Sequence, residues 1–248
     1  MDSVPQELIE AIIDDVPQSS LLSCSLVARR WQRKSQKCVL ATILFVSEGE
    51  VKRWCTDIPR DSDGISSYVR RVVLYQIAPW VKPALLSRML GSLGSLTTLS
   101  MFATQISNEL PGHILRGELG KGITTLYLRF PYGSLQTLTS MIFSLPDLKE
   151  LCAEHCEATL KELLPVHPVA PSRGPLDLLK LHGSLRGIGE VLAKSRFVSS
   201  RLSLDVGIRN IGQLLLLSSE KVVELRLCGA WSLWVLRPSR GNNGRSSR

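Results

Sequence analysis

The chain has 248 residues, 44% of them hydrophobic and 21% charged, and carries a formal net charge of +8. That balance excludes global disorder and suits one large domain or two smaller ones. The charge argues only weakly for nucleic acid, because Arg237, Arg240, Arg245 and Arg248 place half of the excess in the last twelve residues and leave a mildly basic body.

In chain order, the first expected element is a helix opening at Ser3 and Pro5. Ser3 can cap it and Gln6 can complete a capping box, and Leu8, Ile9, Ile12, Ile13 and Val16 then recur at helical spacing. Pro17 ends this helix, and Ser19 and Ser20 can cap the next. On that second helix Leu21, Cys24, Ala28 and Trp31 share one face, while Leu22 and Leu26 lie on another. A third apolar segment runs from Gln36 to Phe45 and completes a three-helix unit. Two short helices with more than one apolar face each cannot bury everything against one another. The surplus packs either on the rest of the chain or on a partner.

The stretch VPQELIEAIIDDVPQSSLLSCSLVARRW resembles the F-box, in the version common among fungal proteins. Pro5, Glu7, Leu8, Ile12, Ile13, Leu22, Cys24, Ser25, Leu26, Val27 and Trp31 stand where that motif expects them, over roughly residues 4–45. Val4 replaces the usual leucine, Val16 takes the place of another, and the loop between the helices is somewhat short. The resemblance implies a Skp-type adaptor as partner, and through it a cullin–RING ubiquitin ligase. It also implies that Pro5, Leu8, Ile12, Ile13, Leu22, Leu26, Val27 and Trp31 are the adaptor-binding residues. Arg29 and Arg30 would flank Trp31 as a polar rim. The basic run from Arg29 to Lys34 also fits a nuclear-localisation or nucleic-acid patch, but at helical spacing it spreads around the helix.

Past residue 65 a pattern of apolar, two variable, apolar, one variable, apolar recurs. It predicts strands at Val69–Leu74, Leu96–Met101, Ile123–Leu128, Leu148–Ala153, Leu176–Leu181 and Val222–Leu227, with a weaker one around Leu202–Leu204. Between them, Leu135, Leu138 and Ile142 fit a helix, as do Leu160, Leu163 and Leu164, then Ile188, Val191 and Leu192, then Ile211, Leu214 and Leu215. Strand followed by helix, repeated, gives an α/β solenoid with a parallel sheet. A compact α/β domain that merely alternates the two is the competing reading. This part resembles degenerate leucine-rich repeats, with Thr104, Pro131, Cys156 and Ser184 where a regular repeat carries asparagine. Pro131 has no N–H to donate, so irregular curvature is expected there.

The expected fold class is therefore α/β: an N-terminal three-helix F-box followed by an irregular leucine-rich-repeat-like solenoid. Its parts are an F-box-like domain at 1–47, a linker at 48–64, the solenoid at 65–236 and a disordered basic tail at 237–248. After Leu227 no complete helix or further strand is expected, which leaves either an improvised cap or a shortened product.

Chemistry is harder to find. Cys152, His155 and Cys156 stand close together, but their spacing matches no regular zinc site. Gly117, Gly120, Lys121 and Gly122 precede a strand, whereas a phosphate loop follows one. His113, His155, His167 and His182 pair with no motif-borne nucleophile. The stretch Pro165–Pro175 reads as a loop open to variable recognition. No enzyme, metal or cofactor is expected. Cysteines at 24, 38, 55, 152, 156 and 228 follow no disulfide framework, which reads as reduced thiols in cytoplasm or nucleus. Asp2, Glu7 and Glu10 precede any apolar run, and stretches such as Val39-Leu40-Ala41 are too short for a bilayer, so neither signal peptide nor membrane partner is expected. A protein substrate of unknown identity is the second expected partner. The alternative is a non-ligase solenoid scaffold whose F-box-like helices pack on their own chain.

Overall fold

The computed structural model describes residues 4–57, 64–76, 82–106, 109, 111, 121–159, 176–183, 199–205, 223–228 and 233–236. The expected helices around Leu160, Ile188 and Ile211, the Pro165–Pro175 loop, the glycines at 117 and 120, and the tail at 237–248 lie outside them. So do Ser3, His113, His167 and Ser184.

The chain opens with three helices, α1 (Gln6–Asp14), α2 (Gln18–Val27) and α3 (Arg29–Leu40). Prolines at 5 and 17 stand immediately before α1 and α2, their φ of −55° suited to a helix entry, and no side chain caps either helix. The expected capping role of Gln6 is not met: its amide donates to Glu10 and to the Arg30 carbonyl, both at 3.4 Å. Ala28 is extended at φ −158°, which ends α2 at Val27, before the Ala28 and Trp31 expected on the same helix, and lets α3 begin at Arg29.

The expected third helix, Gln36–Phe45, is half right. α3 stops at Leu40, and Thr42–Phe45 form strand β1, the edge of a nine-stranded sheet. β-branched Thr42 and Ile43 followed by Phe45 suit a strand, and Phe45 is buried in the main core. The expected linker at 48–64 is also corrected. Helix α4 (Glu48–Asp57) fills most of it and buries Val51 and Trp54 in the same core, where Phe45 and Trp54 meet edge to face at 5.8 Å.

The sheet continues with β2 (Arg71–Tyr75), β3 (Thr98–Phe102) and β4 (Thr125–Arg129). After these come β6 (Glu150–Glu154), β8 (Leu178–His182), β9 (Arg201–Asp205), β10 (Glu224–Cys228) and β11 (Leu233–Leu236). Two short strands, β5 (Tyr132–Ser134) and β7 (Glu157–Thr159), pair separately, and helices α5 (Pro83–Gly91) and α6 (Leu135–Phe143) lie between strands. The fold is mixed α/β. Strands β1 to β10 of the large sheet are laid side by side in chain order and parallel, and β11 returns antiparallel on β10, a strand the sequence did not lead us to expect.

The repeated pattern explains the order. Leu74, Met101, Leu128, Ala153, Leu181, Leu204 and Leu227, the residues that end the seven expected strands, are register partners from β2 to β10. Three aliphatic ladders are buried under the sheet. One runs from Val69 through Leu96, Ile123 and Leu148 to Leu176, the second from Val72 to Leu202, and the third from Leu74 to Leu204. No single unit could bury these edges alone, so each neighbour covers the last. Leu86, Met89 and Leu90 of α5 and Leu138, Met141 and Ile142 of α6 close the core from the same side.

Strand exits repeat too. Gln76, Ala103, Phe130, His155 and Gly183, each one residue beyond its strand, have φ between 46° and 71°. Their turn is held by bonds such as Gln76 N–H to Phe102 O and Ala103 N–H to Arg129 O, both 2.8 Å. Thr104 follows the second turn, buried, its hydroxyl donating to Leu74 O (3.1 Å) and Phe102 O (3.0 Å). Cys156 is likewise buried with its thiol toward Glu154 O. Both occupy positions where the sequence suggested a turn-capping group.

Candidate functional site

The three N-terminal helices have a core of their own, small and separate from the sheet's. Ile9, Ile13 and Leu21 are buried in it, and Val16, Trp31, Cys38 and Val39 pack partly against it. Asp14 ties α1 to α3 through Lys34, at 2.8 Å, and that hydrogen bond is the main reason the Lys34 ammonium sits above its ordinary pKa. Gln6 joins the first turn of α1 to the first turn of α3 through the Arg30 carbonyl.

With the inward faces used, the outward ones stand open. Leu8 is 55% exposed, Ile12 47%, Leu22 64%, Leu26 87% and Val27 68%, with exposed Val4 and Pro5 at the entry to α1. Six of the twelve large hydrophobics exposed among the described residues therefore fall between positions 4 and 27. Exposed large apolar side chains of the described residues are thus concentrated on this helical unit.

Two of the expected adaptor-binding residues are less open than the rest. Ile13 is only 1% exposed and belongs to the small core, one step round α1 from Ile12. Trp31 is half-buried against the same core, because the break at Ala28 places it on α3 and turns it inward. Part of its ring stays accessible to solvent. Pro5, Leu8, Ile12, Leu22, Leu26 and Val27 are all exposed. Val4, which the sequence marked only as a departure from the motif, joins them.

The basic run lies on α3 beside these residues. Arg29, Arg30, Arg33 and Lys37 are exposed, and Lys37 lies 5.7 Å from the Tyr68 ring centroid, where it ties α3 to the turn before β2.

Elsewhere, the cysteine–histidine cluster does not converge. His155 stacks on Phe130, ring centroids 4.9 Å apart and 6° from parallel, while Cys156 is buried beneath the turn. Burial pushes the Cys152 thiol up to about 11 and the Cys156 thiol to about 12, so neither is a ready ligand or nucleophile at neutral pH. Among the described residues no group of three or more His, Cys, Asp or Glu is placed to hold a metal ion. No helix among them is long and apolar enough to cross a membrane.

A scan of the chain against protein-family models finds no match, and a search of curated proteins finds none either.

Proposed function

We propose that the chain is the substrate-receptor subunit of a Skp–cullin–F-box ubiquitin ligase, acting in the cytoplasm or nucleus. In this reading α1–α3 are an F-box that docks on a Skp-type adaptor, and the sheet is an irregular leucine-rich-repeat-like solenoid that holds a target protein. The receptor performs no chemistry. It raises the effective concentration of the target near the ubiquitin-charged enzyme, in the way a tether converts a bimolecular encounter into a local one.

The observation that carries this is the exposure of Leu8, Ile12, Leu22, Leu26 and Val27 on a unit whose inward faces are already filled. A scaffold whose first helices pack on their own chain would cover Leu8 and Ile12, so their exposure favours docking. Burying such a cluster of aliphatics is what the centre of a stable interface requires.

The test is co-purification of the full chain with a purified Skp-type adaptor, run beside a Leu22→Asp/Leu26→Asp variant. Both positions are open to solvent, so the variant keeps its fold. The expected result is a 1:1 complex on gel filtration for the native chain and none for the variant. Separate elution of the native chain and the adaptor would end the ligase reading.

A further inference from the structure

The open face of the sheet, opposite the core, changes character along its length. From β6 to β10 its outward side chains pair as ions, the first of them reaching back to Arg129 at the end of β4. Glu154 meets Arg129 and Lys180, each at 3.5 Å, Glu150 meets Arg201 at 3.7 Å, and Glu224 meets Arg226 at 2.7 Å. On β1 to β4 the outward positions carry no carboxylate at all. They present Leu44, Tyr75, Phe102 and Tyr127, with Phe130 just past β4 and Arg71 among them.

Arg71 is held ready. Its Nε donates to Ser100 Oγ at 3.2 Å, and its guanidinium carbon lies 5.3 Å from the centroid of the Tyr127 ring. Neither partner neutralises the charge, and no carboxylate of the described residues pairs with it. A guanidinium set close to a ring, with apolar side chains around it, meets an incoming carboxylate in partly desolvated surroundings, where a charge-assisted bond is strongest.

We propose that this half of the sheet face is where the target binds, and that its occupant is a protein segment carrying carboxylates between apolar or aromatic side chains. Tyr, Phe and Arg together are the residue types that dominate interface cores. With Arg71 and no carboxylate among the outward positions of β1 to β4, this surface selects an acidic partner over a basic one. A nucleic acid fits less well: phosphate tracking needs a row of cations, and the face offers Arg71 and an Arg129 already matched by Glu154. The inference rests on the sheet being the target-binding unit. Its test omits the adaptor, so failure here and failure of adaptor docking are read separately.

The probe is a fluorescently labelled random copolymer of glutamate and tyrosine, titrated with the full chain and followed by anisotropy. Labelled polyglutamate and a single-stranded oligoribonucleotide are run alongside. The copolymer should bind at least about fivefold more tightly than polyglutamate, as stacking side chains add to charge. Arg71→Glu should weaken it by about tenfold or more, whereas Arg226→Glu at the far end should change it by less than about twofold. Thermal midpoints check that each variant folds, and Tyr75→Ser, at an exposed position, replaces Arg71→Glu if the latter does not. Copolymer binding indifferent to both Arg71→Glu and Tyr75→Ser would overturn the proposal. So would polyglutamate binding as tightly as the copolymer, or the oligoribonucleotide binding more tightly than the copolymer in an Arg71-dependent way.

Discussion

Single side chains in this molecule are set by whether a buried polar atom has a partner. Thr104 does, bridging the carbonyls of Leu74 and Phe102, and Thr104→Val would leave both acceptors short of a donor. We expect a loss of about 1–3 kcal/mol, read as a fall in the thermal midpoint. Ser35 is the opposite case. It is fully buried on α3 with no hydrogen-bond partner for its hydroxyl, so Ser35→Ala should add up to about 1 kcal/mol of stability, read as a rise in the midpoint. The buried thiols add a pH dependence. Cys152 and Cys156 are raised from 9.0 to about 11 and about 12, chiefly by desolvation. A raised folded-state value means that the stability it reflects is intact below pH 9 and lost as pH climbs toward 11–12, because the unfolded thiols ionise first. Thermal melts should therefore shift downward above pH 9, and at pH 8 both thiols should resist alkylation until the chain is denatured.

Among the elements, the turn after each strand is the most repetitive feature and the most fragile. Gly183 has φ +71°, and a Cβ there would stand 2.4 Å from the His155 ring. Gly183→Ala would have to push His155 off Phe130 while holding a left-handed backbone, at a cost of about 1–3 kcal/mol, visible in chemical denaturation. The strands themselves were legible in the sequence because the spacing of their apolar residues is itself the register: Leu99, Leu126, Leu151 and Leu179 lie side by side as the pattern demands. Segments without that spacing were harder. The short apolar run ending at Phe45 suits a helix or a strand equally, and only sheet pairing with β2 decides it. Glu48–Asp57 looked like a connection because its charges dominate, although Val51 and Trp54 are buried in the main core. In the candidate site, the spacing grouped Leu8, Ile12, Leu22 and Leu26, but it could not separate Ile12 from Ile13 without knowing which way α1 faces. It also could not locate Trp31 without the break at Ala28. Arg71 and Tyr127 could not be paired from the register alone, because Arg71 falls in the column of Thr98 and Thr125 and Tyr127 in the next outward column, with Val73 and Ser100.

At the scale of the whole molecule, the helical unit and the sheet are joined without slack. α3 runs to Leu40, and the Ala41 carbonyl then accepts the N–H groups of Arg70 and Arg71 at 2.9 and 2.8 Å, the entry to β2. Lys37 over Tyr68 adds a second tie. A receptor that works by proximity gains from such a joint, since a stiff connection holds the target at a fixed offset from the adaptor. The central claim is that the exposed patch on α1–α2 binds a Skp-type adaptor. Its most direct test is calorimetric titration of the adaptor into the full chain, native and Leu8→Ala/Leu26→Ala. The account predicts saturable 1:1 binding by the native chain, weakened on the order of a hundredfold or more by the double truncation. No heat of binding from the native chain, or equal affinity in the variant, would contradict it.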